Sequence, residues 1–192
     1  MGLFRKRTID KRRFKLEGFG AKKKGTQLLT RVGFGRVYKE VRADKKFSAT
    51  AGKDIIQDTL MGQEFLRDSG LPITRYQGKV VIRGKERLVF DKARRIGPDE
   101  LNNRLKEIIS VIKEANRKGV YFDAKLENFG INVKGKIVIR DTNAICAAKG
   151  EKALSAMIRD LEEELNPMNV HHREVQKKLK KLRTNLNLIQ EK

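Results

Sequence analysis

Four residues in the middle of the chain are of types that handle charged groups: Asp123, Lys125, Asn128 and Asp141. Three of them fall within Tyr121-Phe122-Asp123-Ala124-Lys125-Leu126-Glu127-Asn128, and Asp141 follows Asp123 by 18 residues in Arg140-Asp141-Thr142-Asn143. A carboxylate can take up a proton or hold a hard cation, and an amide oxygen can do the second. An ammonium two residues from a carboxylate can sit against an anion. In a chain that is 36 % charged, such residues also meet by chance. What decides the matter is whether the elements around them could bring them together.

Those elements come in a consistent order. A long helical pattern opens near Pro98-Asp99 and runs through Leu101, Leu105, Ile108, Ile109 and Ile112 to Gly119. The Tyr121–Asn128 stretch follows, then a hairpin pattern: Gly130-Ile131-Asn132-Val133, the turn Lys134-Gly135, and Ile137-Val138-Ile139. Such a hairpin carries Asp141 back toward Asn128. Upstream, Leu28 to Val32 and Arg36 to Val41 read as strands joined through Gly33-Phe34-Gly35, and Phe47 to Ala51 alternates like a third strand. Ile55 to Arg67 has helical spacing and stops at Ser69-Gly70-Leu71-Pro72, and Lys79–Ile82 and Arg87–Phe90 form a second hairpin pattern. Two helices, about 151–165 and 168–189, close the chain around Asn166-Pro167. The order predicts an α+β fold in two lobes.

Helix, loop, hairpin and second Asp together resemble the protein-kinase superfamily. Asp123-x-Lys125-x-x-Asn128 is similar to the kinase catalytic loop, and Asp141 stands where that family has the metal-binding Asp of Asp-Phe-Gly. The resemblance implies a minimal bilobal kinase-like fold with a reduced C-lobe, using ATP with Mg²⁺ or Mn²⁺. Phosphoryl transfer needs charge-neutralised phosphates and an aligned hydroxyl. On this likeness Asp123 orients the attacking hydroxyl, Lys125 meets the transferring phosphate, and Asn128 and Asp141 hold metal.

The N-terminal half would then roof the nucleotide. Gly33-Phe34-Gly35-Arg36-Val37 resembles the end of a kinase glycine-rich loop, with Thr30 and Val32 where earlier glycines would stand. A hairpin turning near residue 44 would set Ala51 opposite Val37 and Lys53 opposite Gly35. Ala51-Gly52-Lys53 then resembles the family's Ala-x-Lys, with Lys53 on the phosphates and Glu64 (or Asp68) holding Lys53. Leu88 to Ala93 would be the fifth strand and hinge, whose backbone around Phe90 to Lys92 meets adenine.

The sequence also departs from that pattern. Tyr121-Phe122 replaces His-Arg, so a phosphorylated activation loop has no Arg anchor, and Asp141-Thr142-Asn143 replaces Asp-Phe-Gly. Only 51 residues follow Asp141, too few for the usual substrate-binding helices. The resemblance covers roughly residues 28–145, and the truncation is similar to that of small bacterial effector kinases. The expected function is a minimal, constitutively active Ser/Thr-type protein kinase acting on a protein hydroxyl. The alternative is a catalytically weak kinase-like module that binds nucleic acid or an acidic protein.

Composition sets the remaining bounds. The chain has 192 residues with 45 Lys/Arg against 24 Asp/Glu, a formal charge of +21, and a mean hydropathy of −0.59. Residues 1–25 form a basic arm with net +8 and residues 171–192 carry +5, a field that attracts acidic proteins or nucleic acid. A plain nucleic-acid binder would account for the charge but leaves the ordered motif to chance, and there is no Trp. The expected division is 1–25 arm, 26–97 N-lobe and hinge, 98–192 reduced helical C-lobe. A single cysteine, Cys146, excludes an intrachain disulfide. Gly20 to Thr26 resembles a P-loop without its Lys, and His171 and His172 have no Cys near them to suggest a metal site. Lys6 stands where a myristoylation signal wants Ser or Thr. No apolar run reads as a signal peptide or a spanning helix, so the expected location is the cytoplasm, or a host cell reached without a cleaved signal.

Overall fold

The computed structural model describes residues 28–33, 36–41, 49–82, 85–141 and 145–190. Residues 1–25, the expected basic arm, lie outside them, as does Gly35. β1 (Leu28–Gly33) and β2 (Arg36–Val41) form an antiparallel hairpin in which Gly33 pairs with Arg36 and Leu28 with Val41. β3 (Tyr76–Ile82) and β4 (Lys85–Asp91) form a second hairpin. The four strands join in the order β1-β2-β4-β3, with Val37 opposite Phe90 and Lys39 opposite Leu88. β4 therefore lies inside the sheet, and its buried Leu88, Val89 and Phe90 reflect this.

Between the hairpins, α1 (Ala49–Asp68) packs Ile56 and Leu60 onto Val37, Leu88 and Phe90. The helix ends on Gly70, whose φ of 65° suits a residue without a Cβ. The amide of Gly70 donates to the Arg67 carbonyl and that of Leu71 to the Leu66 carbonyl, the paired bonds of a Schellman ending. This helix corrects the sequence reading at one place. Residues 49–51 are its first turn, not the end of a third strand, so Ala51 and Lys53 stand on α1 and pair with no strand. The alternation at 47–51 rested on Phe47 and two alanines, and Ala is the strongest helix former. Tertiary context took the helical period of Ile55–Arg67 six residues further back than the sequence indicated.

The helical half is built on α2 (Pro98–Arg117). Pro98 opens it, and Glu100 accepts from the Gly97 amide at 3.3 Å, tying down the first turn. Leu101, Leu105, Ile108, Ile112 and Ala115 form its buried stripe. α3 (Glu151–Glu163) and α4 (Val170–Gln190) cover that stripe through Leu154, Met157, Ile158, Leu161, Val175 and Leu179. Gln176 donates to the Leu165 carbonyl at 2.8 Å, closing the chain's turn between the two helices.

Two short strand pairs carry the loops. β5 (Val120–Phe122) pairs with β8 (Ile145–Ala147), and β6 (Phe129–Ile131) with β7 (Ile137–Ile139). The β5–β8 pairing was not legible in the sequence, because three-residue strands give too short a pattern. The segment after α1 runs beside β7, where the Ile139 amide donates to the Pro72 carbonyl at 2.8 Å and the Thr74 amide to the Ile139 carbonyl at 2.9 Å. The sheet is thereby bonded through the backbone to the strand that leads into Asp141. The whole is an α+β fold with a small sheet, one helix on it, and three helices around the second core.

Candidate active site

The β6–β7 hairpin does what its sequence implies. Asn132 Oδ1 accepts from the amides of Lys134 and Lys136 at 2.9 and 3.0 Å, fixing the turn, and Phe129 pairs with Ile139. One residue beyond that pair, the Arg140 amide donates to the Asn128 carbonyl at 2.7 Å. Asn128 and Asp141 are so placed on one wall of a cleft of about 270 Å³ between sheet and helical half.

The loop before the hairpin is held from inside. Phe122 and Phe129 are buried, with rings edge to face at 5.7 Å, and they bracket residues 123–128. Asn128 Nδ2 donates to the Asp123 carbonyl at 2.7 Å, which closes the loop on itself. Its Oδ1 accepts no hydrogen bond among the described residues. Lys125 Nζ lies 3.1 Å from Asp123 Oδ2, and that bond raises the lysine's pKa. Asp123 and Lys125 thus pair with each other at the loop and do not line the cleft itself.

A lysine does reach Asp141, and it is Lys39. It sits on β2 two residues after Val37, so strand alternation gives both the same face, and both line the cleft. Lys39 is 8 % exposed. Its ammonium donates to Asp141 Oδ1 at 3.3 Å and to the Arg140 carbonyl at 3.2 Å, and lies 5.2 Å from the Phe90 ring centre. A buried ammonium needs such partners, since an unpaired charge there would cost several kcal/mol. Sequence reasoning missed Lys39 because it looked for the lysine one strand later. The signal was present: Val37-Tyr38-Lys39 has the spacing of Ala-x-Lys.

The other expected partners are elsewhere. Gly33 ends β1 at the hairpin that opens β2. Glu64 is solvent-exposed, 3.8 Å from Arg67, and does not approach Lys39; Asp68 also pairs with Arg67, at 3.2 Å. The inward polar residue of α1 is Gln63, 5 % exposed, which donates to the Thr74 carbonyl at 2.5 Å. One residue turns a helix by about 100°, enough to put Glu64 outside when Gln63 is inside.

On the far side of the loop, Tyr121 donates to Asp160 Oδ2 of α3 at 2.7 Å. Burial raises the pKa of both Tyr121 and Asp160, and Asp123 pushes each further up. Asp160 was not foreseen, because nothing in the local sequence ties α3 to the loop. A wider groove of about 570 Å³ runs between α2 and α4 past Lys106, Lys113 and Leu182. Among the described residues no group of three His, Cys, Asp or Glu could hold a metal. No helix among them is long and apolar enough to cross a membrane.

Comparison with known proteins bears on the fold. No family model matches the sequence, and no curated protein does. Solved structures do match. A crystal structure of monomeric WbdD aligns with a TM-score of 0.51 at 12 % identity, over 74 % of this chain and 38 % of that one. WbdD is described as a bifunctional kinase-methyltransferase, and a second structure of it gives 0.50 at 11 % identity, over 70 % and 34 %. A divergent Toxoplasma kinase lacking the glycine-rich loop gives 0.50 at 13 % identity, over 79 % and 60 %. The chain thus spans about a third of the WbdD chains and three fifths of the Toxoplasma kinase. The chain has a reduced α+β kinase-like fold.

Proposed function

We propose that the protein is an ATP-dependent phosphotransferase of the protein-kinase type, minimal in its C-lobe and acting on a Ser or Thr hydroxyl. The observation that carries this reading is the bond from Lys39 to Asp141, in a cleft that Asn128 shares. The carboxylate of Asp141 and the free amide oxygen of Asn128 are hard oxygen donors, the set that Mg²⁺ or Mn²⁺ takes. A cation held there supplies neutralising charge to the phosphates. Lys39 takes the role the sequence assigned to Lys53: its ammonium exchanges part of its contact with Asp141 for nucleotide phosphate oxygens. Val37 and Phe90 give the cleft an apolar wall for the base.

Asp123 orients the acceptor hydroxyl and receives its proton as the oxygen bonds to the γ-phosphorus and the bond to the ADP oxygen breaks. Lys125, already on Asp123, turns its ammonium to the transferring group. Switching by loop phosphorylation is not part of this reading, since Phe122, where the anchoring Arg would be, is buried against Phe129. An acidic protein fits the strong positive charge as the acceptor's class. Incubation with radiolabelled ATP and Mg²⁺ or Mn²⁺ tests the proposal. Transfer to protein should be lost in Asp141→Asn and Lys39→Met while both variants melt near the wild type. Undiminished transfer in either variant would remove the assignment.

A further inference from the structure

The cleft contains two more cations that the kinase reading does not use, Arg95 and Arg140. Several other arginines among the described residues are paired with carboxylates: Arg94 is clamped by Glu100 at 2.5 and 2.6 Å, Arg36 meets Asp91 at 3.3 Å, and Arg183 meets Glu162 at 2.9 Å. Arg95, next in sequence to Arg94, has no side-chain partner among the described residues. Arg140 makes only a long bond, 3.4 Å, to the Glu127 carbonyl. The carboxylates nearest to them are engaged otherwise: Asp91 by Arg36 and Gln77, and Asp141 by Lys39. Glu127 lines the cleft too, yet neither guanidinium pairs with it.

Arg140 is also seated with care. Its stem lies on Gly130, where an added Cβ would collide with Arg140 Cδ and stand 2.9 Å from the Arg94 carbonyl. Two guanidinium groups lining one cleft and pairing with none of its carboxylates repel, and an anion bound between them would be attracted by both. Guanidinium forks match phosphate oxygens in pairs of parallel bonds.

We propose that Arg95 and Arg140 form a phosphate-binding pair in the cleft, taking a phosphate group of the nucleotide from the side opposite the sheet. This deepens the functional reading above and rests on it for the identity of the ligand. The pair supplies, from the helical half, phosphate contacts that a glycine-rich roof supplies from the other. Gly130 is the residue that makes room for it.

Calorimetric titration of the full chain with ATP, adenosine and tripolyphosphate tests the pair. Arg140→Met and Arg95→Gln should each weaken ATP and tripolyphosphate at least tenfold and leave adenosine unchanged. Arg140→Lys should retain most of the affinity, and Arg173→Gln, on distant α4, should retain all of it. Should Arg140→Met fold poorly, Arg95→Gln and Arg140→Lys carry the comparison. Unchanged ATP and tripolyphosphate binding in Arg140→Met would overturn the proposal, as would an equal loss for adenosine or in Arg173→Gln. The two readings fail separately. Absence of phosphoryl transfer together with Arg-dependent tripolyphosphate binding would sink the kinase and leave the pair.

Discussion

The segments 120–141 and 28–68 both contribute to one cleft, yet they are built on different principles. In 120–141, the contacts that set Asn128 against Asp141 are local: Asn128 bonds Asp123, Arg140 bonds Asn128, and a tight turn at Asn132 sets the distance between them. In 28–68, position comes from pairing across long stretches of chain, with Val37 against Phe90 and Lys39 against Leu88. Spacing in the sequence suffices for the first kind. The second kind depends on which strands become neighbours, and only the assembled sheet decides that.

The largest expected effect separates the two lysines that the sequence could offer. Lys39→Met should abolish phosphoryl transfer, as Asp141→Asn should, whereas Lys53→Met should keep most of it. The reverse order would mean that the strand register seen here is not the working one. Rates with radiolabelled ATP decide it, with melting curves to confirm that each variant folds.

The second effect concerns the core under the loop of residues 123–128. Phe122 is 1 % exposed and packs edge to face on Phe129. Phe122→Ala should cost about 3–5 kcal/mol, read from denaturant unfolding. A loss under 1 kcal/mol would show that the loop is not anchored as described. Phe122→Leu should recover most of the stability, and with it the activity.

How far the sequence could be read follows the same line. α2, the β6–β7 hairpin and the closing helices were legible because 3.6-residue periodicity and turn residues are local signals. So were Asn128 and Asp141, whose separation a hairpin fixes. Lys39 was passed over because the alternation at Phe47–Ala51 suggested a strand that is the beginning of α1. Glu64 was chosen as the only Glu on this helix and for lying on the Ile56/Leu60 line, but it is Gln63 that turns inward beside those residues, and Glu64 stands outside. Asp160, Arg95 and Arg140 gave no signal at all: each acquires meaning from a partner on another element.

A smaller effect tests whether that unforeseen reach of α3 matters. Tyr121→Phe removes the bond to Asp160 and leaves a half-buried carboxylate without its donor. A lost buried hydrogen bond of this kind should cost about 1–3 kcal/mol. The turnover rate should fall more than ATP affinity, because the bond sits behind Asp123 and not in the cleft. Equal loss in both would make Tyr121 a general structural residue. Asp160→Asn should behave more mildly, since an amide oxygen can still accept from Tyr121.

The smallest effect is at the joint between the halves, where Arg94 meets Glu100. The Arg94 guanidinium and then the Gly97 amide hold the Glu100 pKa down from 4.5 to about 2. A depressed carboxylate contributes stability that is complete above its unfolded pKa and disappears as pH falls through its folded one. Its share should therefore be constant above pH about 5 and be lost between about 4.5 and 2. The pair lies at the surface, about half exposed, so salt screens it and its share is small. Glu100→Gln should remove that part of the acid dependence without changing stability's slope at neutral pH. Glu114, whose pKa is also held at about 2 by Arg117 and Lys118, should then account for further slope in the same window. An unaltered acid limb in Glu100→Gln would show that Arg94 is held at the joint by its backbone bonds to Ile131, 2.9 Å each way, and not by its charge.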